Sequence, residues 1–327
     1  MLRSPGRLRR ALLAALVVGA VALPLTAGAL PGVPAPAPAR FPVGTPAAER
    51  FEVNAAGVVT AARMAEEAGR DGRAAALRRL ARERARLLFF DGHGAGRIVE
   101  VFGDVSTARR VAVLVPGSDT SIETYERFRA GAVALYDRMR KSAPRSAVVT
   151  WLGYETPGTV SPAVVTTGRA EEAARALGPF LQELSSLTPA AELSLLCHSY
   201  GSVVCARVSG SRPLTDVVLF GSPGTGFGSV AELPTGAARV WAGRGASDWI
   251  GSVPHTRVEL PGLRVGFGRD PVDPAFGAQP FTAGEGGHSD YLKPGTESLE
   301  SLARIALGPH ASSVSVAHGR DGAVSRG

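Results

Sequence analysis

An α/β fold, with a mostly parallel sheet covered by helices on both faces, is predicted by three observations. Short Val- and Leu-rich runs recur along the chain and alternate with longer amphipathic stretches, the pattern a buried parallel sheet needs. One of those runs leads into a tight serine-containing turn followed at once by an apolar, helix-like segment. The 327 residues are 45% hydrophobic and 20% charged, enough to bury a core and too apolar for a charge-dominated disordered polymer.

The ends read as something other than fold. Residues 1–10 carry Arg3, Arg7, Arg9 and Arg10 without an acid, and residues 11–30 run without a charge and end in Ala27-Gly28-Ala29. This is the layout of a signal peptide over residues 1–29, with a permanent single-span anchor as the alternative. Arg9-Arg10 followed by Ala-Leu-Leu leaves the general secretory and twin-arginine routes both open. Without that segment the formal charge falls from +7 to +3, because four arginines leave. Only Lys141 and Lys293 are lysines, and no basic block reads as a nucleic-acid surface. Residues 30–46 are rich in Pro and Ala and predict an extended spacer without a packed core. Residues 308–327 lose apolar periodicity and read as a disordered tail.

Between the ends, residues 47–88 have apolar positions three and four apart in an Ala-, Arg- and Glu-rich context and predict helix. A domain of catalytic size over 89–307 follows. It opens with a hairpin, strands 87–90 and 98–102 around the glycine-rich turn at 91–96. Then come strand 111–115, helix 123–141, strand 147–151, helix 167–187, strand 193–196, helix 201–208, strands 217–220 and 239–242, and a last strand at 279–282. The glycines at 91–96 lack the GK[ST] ending of a phosphate loop, those at 221–228 lack the dinucleotide spacing, and no HExxH or carboxylate cluster is present, so no cofactor or metal is expected. The two cysteines, Cys197 and Cys205, exclude a CxxC metal spacing. Export would permit a disulfide between them. Cys is equally at home as a small buried hydrophobe, the reading preferred for this pair.

The chemistry gathers where strands end, because open α/β sheets place their sites beyond the carboxyl ends. After strand 193–196 comes Cys197-His198-Ser199-Tyr200-Gly201 and then helix, the strand, sharp turn and helix of a nucleophile elbow. It follows the G-x-S-x-G pattern except that Cys197 stands at the first glycine. A serine hydroxyl needs a base, and the base a carboxylate to set its tautomer, in the chain order Ser, acid, His. Of six histidines, His93 lies upstream, His198 is locked beside the serine, His310 and His318 lie in the tail, and His255 follows the acid strand too closely. His288, in the loop Gly286-Gly287-His288, remains as the base. Asp248 follows strand 239–242 and is the chosen acid, with Asp273 as runner-up and Asp270 and Asp290 as rivals. The oxyanion donors are expected to be the amide of Tyr200 and that of Ser118, with Asp119 as the alternative. Trp151, Tyr154 and Glu155 read equally as pocket lining or, for Trp151, as core. Residues 156–162 and 257–274 are candidate lids.

The segments VLVPGSDTS (113–121), WLGYETP (151–157), HSYGS (198–202), GRDPVDPAFGA (268–278) and GHSDYL (287–292) together resemble the α/β-hydrolase superfamily, and within it an actinobacterial group classed as a domain of unknown function. The resemblance spans about residues 85–305. It implies the α/β-hydrolase fold, Ser199 as nucleophile and His288 as base, and supports Asp248. The resulting expectation is an exported serine hydrolase acting on a small-molecule ester or acyl substrate, secreted or associated with the cell envelope, with no nucleic-acid partner. A catalytically silent surface binding module and an acyltransferase are the alternatives.

Overall fold

The computed structural model describes residues 32–209, 214–256, 258–260 and 263–308. The expected signal peptide at 1–29 lies outside the described residues, as does the tail beyond Gly308.

Helix α1 (Ala47–Glu67) buries Arg50, Asn54, Val58, Ala61, Ala62 and Ala65, a stripe with three- and four-residue spacing. Helix α2 (Asp71–Arg82) packs against it through Ala74, Leu77 and Leu80. A hairpin follows, β1 (Leu87–Asp91) antiparallel to β2 (Arg97–Gly103). Two polar residues buried on α1 reach out of the helix for partners. Arg50 donates to the Thr45 carbonyl at 3.1 Å, and the Asn54 amide donates to the Leu87 carbonyl of β1 at 2.9 Å.

The alternating part comprises β3 (Arg110–Val115), α3 (Tyr125–Ser142), β4 (Ser146–Leu152), α4 (Gly168–Leu187), β5 (Glu192–His198), α5 (Tyr200–Cys205), β6 (Asp216–Phe220) and β7 (Arg239–Gly243). A small hairpin of β8 (Val258–Leu260) and β9 (Leu263–Val265), the two-residue β10 (Gln279–Pro280) and helix α6 (Glu297–Leu307) complete the described chain. Eight strands form one sheet in the order β1-β2-β4-β3-β5-β6-β7-β10. Only the β1–β2 and β2–β4 pairings are antiparallel.

Successive residues of each central strand face opposite layers, as the pleat requires. Val111, Val113, Val115, Leu195, Cys197, Val217 and Leu219 pack with α4 and α5. Ala112, Leu114, Val148, Leu196, Val218 and Phe220 pack with α3 and α6 on the other side. Each fully buried Val or Leu contributes roughly 1.5–3 kcal/mol relative to exposure, so neither layer could be lost without the sheet. The direction in which the chain adds strands reverses between β3 and β5, whose carboxyl ends are adjacent, with Val115 paired to Cys197. That junction is where a ligand crevice belongs in this architecture.

Several expectations are corrected. Residues 32–46 have no regular structure up to a turn at 42–45, but they are not free, for Val33 and Ala35 pack against the core of α1 and α2. The helix after Ser199 ends at Cys205 instead of 208, because Arg207 and Val208 turn back onto the carbonyls three residues earlier. No helix opens at His288; α6 starts nine residues later, after Pro294 and Gly295, where the Thr296 hydroxyl accepts from the Leu299 amide. The candidate lid at 257–274 contains the β8–β9 hairpin, which was not foreseen. The last strand is two residues long instead of four.

Candidate active site

The sharp turn at the end of β5 is held by the sheet itself. The Ser199 amide donates to the Phe220 carbonyl of neighbouring β6 at 3.0 Å, and Ser199 is forced to φ 51°, ψ −126°. A positive φ is costly for a residue with a side chain and persists only where surroundings impose it. Here the imposing structure includes a covalent one: Cys197 and Cys205 are disulfide-bonded, with Cα atoms 6.4 Å apart. This overturns the preferred reading of two unpaired buried residues. The bridge ties the end of β5 to the end of α5, so the cysteine at the usual glycine position is accommodated by bonding to the helix it faces.

Two other loops deliver Asp248 and His288 to the serine. Asp248 lies beyond β7, with its side chain fully buried, and His288 lies in the loop before α6. His288 Nε2 is 2.9 Å from Ser199 Oγ, and its Nδ1 is 2.9 Å from Asp248 Oδ1 and 3.1 Å from Oδ2. A carboxylate only accepts, so Nδ1 carries the proton and Nε2 is left to accept from the serine hydroxyl. Burial pushes the Asp248 carboxyl up, but hydrogen bonds from His288, Tyr291 and the Ile250 amide outweigh it and hold the group below the usual carboxylate range. Trp249, half exposed, leans on the His288 ring with centroids 4.8 Å apart.

The loop after β3 closes on the serine from the other side. A Cβ on Gly117 would lie 2.6 Å from Ser199 Cβ, so only glycine permits this approach. The Asp119 amide is already committed to the Pro157 carbonyl at 3.1 Å. Among the described residues the Ser118 amide has no acceptor, and Tyr200 opens α5, where the first amides of a helix have none within it. The two expected donors, Tyr200 and Ser118, are thus uncommitted, and the alternative Asp119 is not.

A family model described as alpha/beta hydrolase matches residues 91–258. The chain belongs to the alpha/beta hydrolase family. Among its relatives is the uncharacterized protein Rv2079 of Mycobacterium tuberculosis, 31% identical over 245 residues, covering 66% of this chain and 37% of that protein. This alpha/beta hydrolase therefore spans little more than a third of the length of that relative. The uncharacterized protein Rv0963c of the same organism is 32% identical over 143 residues, covering 40% of this chain and 53% of its own. Among solved structures, esterase LipW from Mycobacterium marinum superposes with TM-score 0.41 and 13% identity over 79% of this chain and 94% of that one. The lidless serine hydrolase XC6422 from Xanthomonas campestris gives 0.38 and 15% over 64% and 85%.

The rival residues of the hydrolase are engaged elsewhere. Asp270 pairs with Arg244 at 2.5 Å and sits 3.6 Å from His255; Asp273 accepts from the Ala275 amide; Asp290 accepts from the Gly287 amide and pairs with Lys293. Trp151 and Tyr154 are core, stacked on each other with ring centroids 5.9 Å apart, and the Tyr154 hydroxyl donates to the Pro116 carbonyl at the start of the loop that carries Ser118. Glu155 is exposed and pairs with Arg169. Among the described residues no three His, Cys, Asp or Glu side chains gather as a metal site would require.

Sequence reasoning passed over two side chains that touch the site. His198 Nε2 donates to the His288 backbone carbonyl at 2.8 Å. Desolvation, then the neighbouring His288, push the His198 imidazole down to about 3, so it stays neutral and keeps that proton on Nε2. Tyr291 is the other. Its position three residues after His288 is the signal that could have been read, since a short turn brings such a residue back beside its predecessor.

Proposed function

We propose that this alpha/beta hydrolase is an exported serine hydrolase that cleaves an ester or related acyl bond through Ser199, His288 and Asp248. The observation that carries the reading is the unbroken contact from the Ser199 hydroxyl through both ring nitrogens of His288 to Asp248, starting at a serine held at positive φ.

In the proposed reaction, Ser199 Oγ bonds to the substrate carbonyl carbon while its proton passes to His288 Nε2, and Asp248 stabilises the resulting imidazolium. The carbonyl oxygen takes the negative charge and is held by the Tyr200 and Ser118 amides. Collapse breaks the bond to the leaving group, which takes the proton from His288. Water, deprotonated by the same ring, then attacks the acyl-enzyme; the bond to Ser199 breaks, and the acid and free serine return. Substrate is a small ester or acyl compound, and no nucleic acid takes part. The bridge at the elbow supports function in an oxidising space, secreted or at the cell envelope. In the described residues no helix is long and apolar enough to cross a membrane.

The test is labelling with a fluorophosphonate probe beside a panel of chromogenic esters of graded chain length. Wild-type protein should label at Ser199 and turn over at least one ester, and Ser199→Ala should do neither. Folded wild-type protein that does not label would overturn the reading.

A further inference from the structure

The Tyr291 hydroxyl lies 2.6 Å from Asp248 Oδ2, and the Gly245 amide donates to that same hydroxyl at 3.0 Å. An amide N–H only donates and a carboxylate only accepts, so the phenolic proton must point at Asp248. The hydroxyl is buried, and the ring is wedged beside Phe220 and His198 with centroid separations of 5.3 and 5.6 Å. Asp248 therefore has three donors: the Ile250 amide on Oδ1 at 2.9 Å, the Tyr291 hydroxyl on Oδ2, and His288 Nδ1 in front of both oxygens.

This arrangement has two physical consequences. With both oxygens fixed, the carboxylate cannot turn about its last torsion, so its face toward His288 is set before substrate arrives. The phenol also takes a share of the carboxylate charge that would otherwise act on the ring of His288. The Tyr291 hydroxyl meets Asp248 and the Gly245 amide, so its effect on the reaction passes through the acid. It belongs to the same short turn as His288, which is pinned from behind by the Ser298 hydroxyl donating to the Tyr291 carbonyl at 2.9 Å.

We propose that Tyr291 is the positioning residue of the acid, a fourth member of the site whose hydroxyl fixes the Asp248 carboxylate and moderates its charge toward His288. The proposal rests on the reading of Ser199, His288 and Asp248 as nucleophile, base and acid. The titratable and charged groups around the pair are His288 on the shared turn, His198 at the end of β5, Arg244 at the end of β7 and, acting on His198, Arg127 of α3.

The experiment compares Tyr291→Phe with wild-type protein, measuring the rate of fluorophosphonate labelling from about pH 5 to 9 together with thermal unfolding. In folded Tyr291→Phe the plateau rate should fall about tenfold, the factor expected for losing a charge-assisted hydrogen bond. The acid limb should move to higher pH, because a carboxylate no longer shared with a phenol stabilises the imidazolium more. An unmoved acid limb, with or without a lower plateau, overturns the positioning role and leaves the nucleophile reading intact. Folded wild-type protein that does not label removes both. Should Tyr291→Phe fail to fold, 3-fluorotyrosine at the same position, a stronger donor of the same shape, should move the acid limb to lower pH; no movement there overturns the proposal equally.

Discussion

Cys197 and Cys205 form a disulfide that spans the turn carrying Ser199, fastening the last residues of a strand to the last residue of the helix that leaves it. Closing a loop of this length removes conformational freedom from the unfolded chain worth roughly 2–3 kcal/mol. Replacing both cysteines with alanine should therefore lower the urea midpoint by an amount corresponding to that loss. An unchanged midpoint would mean the bridge does no stabilising work. Denatured, unreduced protein should also show no free thiol on titration.

The approach of Gly117 to Ser199 makes a second expectation. Gly117→Ala places a methyl group 2.6 Å from Ser199 Cβ, closer than two carbons can sit. Either the serine or the loop holding the Ser118 amide has to shift, and a displacement of about 1 Å near the reacting atoms costs on the order of a hundredfold in rate. The proposed ester hydrolysis should collapse accordingly, with thermal stability changed far less. Wild-type rates in this variant would remove the Ser118 loop from the site.

Asp119 links that loop to residues 156–162. Its carboxylate accepts from the Thr159 amide at 3.0 Å and from the Thr159 hydroxyl, and it holds φ 58°, a region Asp and Asn tolerate better than most residues. Asp119→Ala should lower turnover roughly tenfold, as the Ser118 amide loses its fixed direction and one charge-assisted bond goes missing. Asp119→Asn, which keeps the backbone preference and one acceptor, should lose less. Steady-state kinetics that rank the two in the opposite order would break the argument.

His198 makes stability depend on pH. Its imidazole is held down to about 3 in the folded chain against 6.5 as an ordinary histidine. Between those values the unfolded chain binds the extra proton, so stability is fully present above about pH 6.5 and declines as pH falls toward 3. His198→Gln keeps an N–H for the His288 carbonyl but does not titrate. Denaturation midpoints at about pH 7.5 and 5 should therefore converge in the variant and stay apart in the wild type. Equal pH dependence in both would show that His198 is not the group responsible.

Much of this was legible in the residues. Short Val- and Leu-rich runs separated by amphipathic stretches marked β3 to β7, and the elbow stood out because a strand, a serine turn and a helix are contiguous in the chain. Asp248 and His288 could be chosen by order and by elimination. What escaped is what depends on distance through space. His198 was set aside for its place beside Ser199, yet β6 and the His288 loop fold over it and give its ring a carbonyl to hold. Tyr291 was passed over because the Gly245 amide and the Asp248 carboxylate that its hydroxyl meets lie more than forty residues away in sequence. Trp151 and Tyr154 sit at a strand end, where pocket and core read alike, and only stacking separates them. The cysteine pair is eight apart in sequence, and only the fold brings the end of α5 within bonding reach of β5.

The borders of the sheet have a bearing on how copies of this protein can meet. At one border β10 offers two residues, and the second, Pro280, has no N–H to lend to another strand. At the other, α1 lies against β1, and Asn54 already occupies the Leu87 carbonyl. Strand-by-strand growth from one molecule to the next, the route by which open sheets polymerise, thus has little ladder to continue at either side. Among the described residues, contact between copies at this sheet would have to be made by the helices and loops that cover it.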